Sequence, residues 1–178
     1  MIERLQIATP AYDRPTNTYF IPDPSVLVDP AGPIQELDVD PSRIDHVVVT
    51  HTHPDHVAGL STVASGATVW AKYGREEQFE AATGVQPDRS FRPGASIDDS
   101  GRVQVVDTPG HSPDHVAFRV GPVLLVGDLV MADSSVVVGA PDGDMRAYLT
   151  SLRRLLHGQY STAYPGHGPA IPSPADRF

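Results

Sequence analysis

The chain has 178 residues, 40% of them apolar, with 15 glycines and 18 prolines, a composition that describes a globular protein with one core and excludes a disordered or repeat architecture. Lysine plus arginine number 13 against 22 aspartate plus glutamate, for a formal charge of −9, so phosphate backbones and anionic membranes are disfavoured partners. Cysteine is absent, which removes disulfides, thiolate ligands and a cysteine nucleophile together.

Length favours a single domain spanning residues 1–178. Lys72 is the sole lysine, and an aspartate-rich, lysine-poor surface is also what salt-loving organisms use, where high ionic strength screens the self-repulsion. The start, "MIERLQIATPAYDRP", lacks a charged segment followed by a long apolar one, and no apolar run approaches the roughly 18 residues that span a bilayer. A cytoplasmic protein without a membrane segment is the expectation.

In chain order, short apolar or β-branched runs recur at "LQIA" (from 5), "TYFI" (18), "SVLV" (25), "HVVVT" (46), "ATVWA" (67), "VQVV" (103), "HVAFRV" (115), "VLLV" (123), "SVVV" (135) and "STAY" (161). Most are bounded by Gly, Pro or Asp, as strands are. Three segments read as helices. Asp55 to Ala64 follows a histidine cluster, residues 75–82 end before Gly84, and Met145, Leu149, Leu152 and Leu156 mark a third helix stopped by Gly158. That last stripe is expected to pack into the core. Strands in two groups around a helical stretch favour a layered α/β protein over an all-β barrel.

Four of the strand runs are followed by side chains able to bind metal. "HVVVT" leads into His51, His53, Asp55 and His56; "VQVV" is followed by His111, "VLLVG" by Asp128 and "STAYPG" by His167. If those strand ends share one edge of packed sheets, seven side chains converge. The His-x-His spacing puts two imidazoles on one face of an extended segment, and Asp55 with His56 then open a helix after Pro54. Single histidines elsewhere need no chemistry: His157 suits a helix C-terminus and His46 begins a strand. His115 either supports the site or simply begins its strand. Asp29, Thr50 and Asp107 are candidates to orient ligating imidazoles. Gly110, Gly127, Gly166 and Gly168 permit tight turns beside the candidate ligands.

These motifs carry a resemblance. "THTHPDH" matches the His-x-His-x-Asp-His signature of the metallo-β-lactamase superfamily, and "DTPGHSPDH", "VGDLV" and "YPGHGP" follow in the order of its remaining motifs, so the likeness runs from "VLVDP" to "PGHGP". It implies a four-layer αββα sandwich with a metal site along one sheet edge. By the same resemblance His51, His53 and His111 would hold a first ion, Asp55, His56 and His167 a second, and Asp128 would bridge both, with Asp55 and Asp128 taking part in catalysis. Two divalent ions held so can lower the pKa of a shared water toward about 7 and make hydrolysis the natural reaction. An all-nitrogen-and-oxygen site accepts zinc, manganese or iron, and two zinc ions are the first expectation.

The "TPGHSPDH" and "YPGHGP" forms look most like the glyoxalase II branch, which implies a small thioester or ester as substrate. Glyoxalase II has a helical C-terminal domain that helps bind its thiol cofactor; only 11 residues follow His167 here. The pocket is therefore expected from loops such as 12–17, 84–96 and 129–144, or from a second subunit in a homodimer. Two other readings share the fold. A ribonuclease-like phosphodiesterase would need a basic track, for which Arg89, Arg92 and Arg102 are candidates if they are more than solvated loop residues. A persulfide dioxygenase would use one iron at positions matching His51, His111 and Asp128. A structural zinc site in an interaction module is the non-enzymatic reading, and it calls for closed four-ligand coordination.

Overall fold

The structure is a computed structural model and describes residues 1–8, 14–98 and 100–178, the side chain of Arg177 excepted. One sheet contains β1 (Glu3–Ile7), β2 (Thr16–Ile21), β3 (Val26–Val28), β4 (His46–Val48), β5 (Thr68–Lys72) and β6 (Arg89–Phe91), side by side in that order. It is antiparallel from β1 to β3 and parallel from β3 to β6. The other contains β7 (Val103–Asp107), β8 (Val116–Val120), β9 (Val123–Gly127), β10 (Thr162–Pro165) and β11 (Ile171–Pro172), in the order β11-β10-β9-β8-β7. Only β9 and β10 pair in parallel there.

Side chains alternate across each strand and so assign themselves to layers. Tyr19, Ile21, Val26, Val28 and Val48 of the first sheet meet Val105, Val116, Phe118 and Leu125 of the second in the central core. The alternate residues Phe20, Leu27 and Val47 face outward, where α1 (Pro54–Val57), α2 (Leu60–Val63) and α3 (Glu76–Thr83) cover them with Val57, Leu60 and Phe79. On the far side Ala117, Leu124 and Val126 lie under Leu155 of α4 (Met145–Leu156). The result is the expected αββα order. Strands β3 and β4 are covered on both faces, which is why their sequences read as unbroken apolar runs. Among the described residues no helix is long and apolar enough to cross a membrane.

Four expectations change. The helix expected over 55–64 divides into α1 and α2, because the Gly59 N–H donates to the Pro30 carbonyl at 2.8 Å and a Cβ there would lie 1.6 Å from the Gly32 carbonyl. "SVVV" at 135–138 forms no strand; it has no neighbouring strand to bond and runs as an uncovered wall beside the candidate site. β6 and β11, of three and two residues, are too short to show a period and were not expected.

The α4 stripe is the fourth. Met145, Leu149 and Leu156 are 53%, 43% and 47% exposed, while Ser151 and Leu155 are buried and Tyr148 and Leu152 partly so. The helix has two adjacent stripes, and the inward one matches its support. Ser151 donates to the Pro109 carbonyl at 2.7 Å, Tyr148 donates to the Leu129 carbonyl at 2.7 Å, and Leu155 supplies the apolar anchor.

Leu155→Ala is therefore expected to cost about 2–5 kcal/mol in urea unfolding, whereas Leu149→Ala changes stability by no more than about 0.5 kcal/mol. Equal losses would restore the outer stripe to the core.

Candidate metal centre

Four strands end at one edge of the sandwich, and each delivers part of a single site. After β4 the chain stays extended through His51 and His53, and His53 is the residue that caps α1, so Asp55 and His56 fall in the first helical turn. β7 runs into the turn that carries His111, β9 ends one residue before Asp128, and β10 is followed by Gly166 and His167. All seven expected side chains meet. The ligand atoms of His51, His53 and His111 lie within 4.8 Å of one another, as do those of Asp55, His56 and His167, and those of His51, His56 and Asp128. Asp128 stands between the groups, with Oδ1 3.4 Å from His56 Nε2 and Oδ2 3.8 Å and 3.5 Å from Nε2 of His111 and His167.

The outward nitrogens fix how each ring presents itself. His111 Nδ1 lies 2.8 Å from the Val137 carbonyl and His167 Nδ1 3.0 Å from the Pro15 carbonyl. A carbonyl only accepts, so both rings carry the proton on Nδ1 and turn Nε2 inward. Asp29 does the same for two more. It accepts the Thr50 N–H at 2.6 Å and hydroxyl at 2.8 Å, and takes His56 Nδ1 at 3.0 Å. The Thr50 oxygen, its proton committed to Asp29, then accepts from His51 Nδ1 at 3.1 Å. Asp29 and Thr50 thus take the orienting places expected of them.

Asp107 does not. It faces Lys72 Nζ at 2.7 Å and Arg154, and touches none of the seven. His115 supports the site rather than merely starting β8: its Nε2 accepts the Asp128 N–H at 3.2 Å, and its Nδ1 meets the Thr108 hydroxyl at 2.8 Å. Burial lowers its pKa to about 3, so it stays a neutral acceptor.

Two further supports escaped sequence reading. Buried Asp114 accepts the Thr52 N–H and hydroxyl at 2.9 and 2.8 Å and the Ser112 hydroxyl at 2.7 Å, tying the His51–His53 segment to the His111 turn. Its place three residues after His111, inside "HSPDH", was the available signal. Asn17, fully buried, donates to the carbonyls of Pro165 and Gly168, both at 2.9 Å, and braces the His167 turn. No local pattern marks a contact across 148 residues.

Two of the neighbouring glycines serve by leaving room. A Cβ at Gly166 would lie 2.4 Å from Asp128 Oδ1 and 2.5 Å from His56 Cε1, and one at Gly110 would lie 2.3 Å from the backbone of Tyr148 in α4. Gly110 also has φ +140°, a region that L side chains rarely adopt.

The donor set fits divalent cations. His53 Nδ1 is 3.0 Å from both His51 Nε2 and His111 Nε2, three lone-pair nitrogens aimed at one point. His56 Nε2 and Asp128 Oδ1 are buried without a hydrogen-bond partner, and orphaned buried polar atoms are costly unless a ligand satisfies them. Burial pushes the pKa of His51 well down and that of His111 down, so both are neutral donors. At His56 burial opposes the charge, but Asp128 and Asp29 prevail and raise its pKa well above normal. His167, likewise opposed by burial, is raised to about 10 by its hydrogen bonds to Asp128 and Asp55. Burial would raise Asp128, and the nearby His56 instead drives it well below the carboxylate range. Protons on His56 and His167 therefore do part of the charge balancing that a cation would do.

A cavity of about 360 Å³ opens onto these residues and is walled by Arg14, Met131, Ser134, Ser135 and Val137. Loop 129–144 and position 14 supply the wall as expected; positions 12 and 13 lie outside the described residues. Loop 84–96 does not contribute, since it runs to β6 at the outer edge of the first sheet.

A paired His/Asp centre at the edge of an αββα sandwich defines a metal-dependent class of protein. The chain belongs to the metallo-beta-lactamase superfamily, whose sequence profile it matches over residues 11–167. It is 28% identical over 152 residues to the Beta-lactamase-like protein 2 homolog of Drosophila melanogaster (80% of this chain, 51% of that one). It is 29% identical over 170 residues to Thioesterase pkgB of Emericella nidulans (88% and 46%). A Hydroxyacylglutathione hydrolase of Acidiphilium cryptum shares 34% over 104 residues (54% and 40%). The chain thus spans about half the length of the curated relatives it matches, or less. A metallo-beta-lactamase family protein of Thermus thermophilus superposes with a TM-score of 0.80 at 25% identity, covering 99% of this chain and 76% of that one.

Because the folded-state pKa values of His56 and His167 are raised, their contribution to ion-free stability is complete below the unfolded value of 6.5 and disappears as pH climbs through the folded values, about 10 for His167. The chelated protein should lose thermal stability across that window, and added divalent ion should restore it; a chelated midpoint that rises with pH would contradict this. Asp29→Ala should weaken metal binding about 10- to 100-fold in a chelator competition, with Asp107→Ala close to wild type.

Proposed function

We propose that this chain hydrolyses a small thioester or ester, with two zinc ions as the resident metals and residues 1–178 acting as one domain. The superfamily is hydrolytic, and the observation that carries the reading is Asp128 set between two triads of donors at the floor of an open cavity. Relatives named as a thioesterase and a hydroxyacylglutathione hydrolase support the thioester.

When bound, a pair of divalent ions supplies an acidified water and positive charge for an oxygen that turns negative during the reaction. His51, His53 and His111 would hold one, Asp55, His56 and His167 the other, and Asp128 both. The rest falls to the chain. Asp55 lines the cavity and stays a carboxylate: burial opposes that, but its hydrogen bond from His167 prevails and lowers its pKa. It is therefore an ionised acceptor able to orient a water. Met131 and Val137 offer an apolar wall for an acyl chain, with the Ser135 hydroxyl beside it, while the Ser134 hydroxyl donates to Met131 Sδ at 3.0 Å. Arg14, bridged to Asp133 at 2.9 Å, places positive charge at the same wall.

A phosphodiester strand finds less to grip. Arg89 stacks over Trp70, Arg92 over Tyr73, and Arg102 pairs with Asp23, and none of the three lines the cavity.

The test is metal analysis of purified protein followed by a panel of thioesters, lactones and phosphodiesters. Two zinc per chain with thioester or ester turnover is expected, and Asp128→Ala should lose metal and lower kcat/KM by at least about 10²- to 10³-fold. Phosphodiester turnover alone, or one iron with oxygen consumption, would replace this reading.

A further inference from the structure

We propose that the exposed face of α4 is a docking surface for an acidic amphipathic helix of a separate protein. Met145, Leu149, Leu152 and Leu156 follow one another at spacings of four, three and four residues, the seam by which one helix receives another. Three of them are largely exposed, and they make up half of the large exposed apolar side chains among the described residues. The monomer uses only Leu152 of this row, partly buried against the core, and the exposed Met145, Leu149 and Leu156 add little because the inner stripe already anchors the helix.

Charge identifies the occupant. The twelve residues of α4 include Arg146, Arg153 and Arg154 and no acid, in a chain of net charge −9. Arg154 is held by the Asp107 carbonyl. Arg146 and Arg153, seven positions apart and each next along the chain from a seam residue or one removed from it, are exposed and have no ion-pair partner among the described residues. They flank the seam on one side; on the other, Tyr148 and Leu155 turn into the protein. A partner helix with an apolar seam and glutamate or aspartate along its edge complements both features.

A second copy fits poorly, because antiparallel α4 helices would bring these arginines together between two chains that already repel. An anionic membrane fits poorly too. Two exposed arginines with no ion-pair partner among the described residues fall short of the cluster of about 4–8 basic residues that draws a helix to anionic lipid, and the inner face of α4 is committed to the sheet.

The test uses fluorescence anisotropy with a labelled helical peptide that has leucines at the seam and glutamates beside it, and a matched peptide with lysines in place of the glutamates. The glutamate peptide should bind the wild-type protein, more weakly as salt rises. Leu149→Asp should weaken it at least about tenfold. The double variant Arg146→Glu, Arg153→Glu should lose it and gain the lysine peptide. All these positions are exposed, so thermal midpoints should stay near wild type. Equal binding of both peptides, no binding, or binding untouched by the substitutions would overturn the proposal. So would a dimer of the protein alone, or capture by phosphatidylglycerol vesicles, abolished by Leu149→Asp.

Discussion

The structure depends on a problem of buried charge. Asp128 and Asp55 sit out of bulk water with His51, His56, His111 and His167 pressed against them, and carboxylates so desolvated each cost several kcal/mol unless matched by positive charge. In the ion-free protein, protons on His56 and His167 supply the match. Divalent cations supply it better, because they also use the lone pairs that His51, His53 and His111 turn toward one another. The same unfavourable arrangement that burdens the empty scaffold is what holds ions in place.

Strand register does the positioning. The parallel pairing of Val28 with Val48 sets Asp29 beside Thr50, so one carboxylate can hold Thr50 and His56 while Thr50 holds His51. The start of β2 reaches across to the other sheet, where Thr16 bridges to His167 and Asn17 ties down the turn before and after it. The His111 turn is clasped from two sides, by Asp114 toward His51–His53 and by α4 through Gly110 and Pro109. His51, His56, His111 and His167 each arrive with Nδ1 already engaged by something behind it.

Charge is spread unevenly over this scaffold, and the unevenness separates functions. The chain carries a global excess of acid, the cavity has Arg14 in its wall, and α4 shows a basic, apolar face to solvent. A partner on α4 would rest on the helix that braces the His111 turn, so the two surfaces share a structural element without sharing side chains.

The sequence by itself determined the residues of the site and the layers of the fold. Seven donors followed strand runs, and a family signature implied the αββα layers, because ligand chemistry and short apolar strand runs are local properties of a chain. What surrounds the donors was decided only in three dimensions. Asn17 and Asp114 brace ligands by contacts no spacing announces, Asp107 was drawn to Lys72 instead, and Gly59 broke a helix because another loop lies against it. The apolar stripe of α4 was visible, yet its direction was not. Two adjacent stripes satisfy the same helical period, and the hydroxyl contacts to Pro109 and Leu129, with Leu155 packed on the sheet, choose which one turns inward.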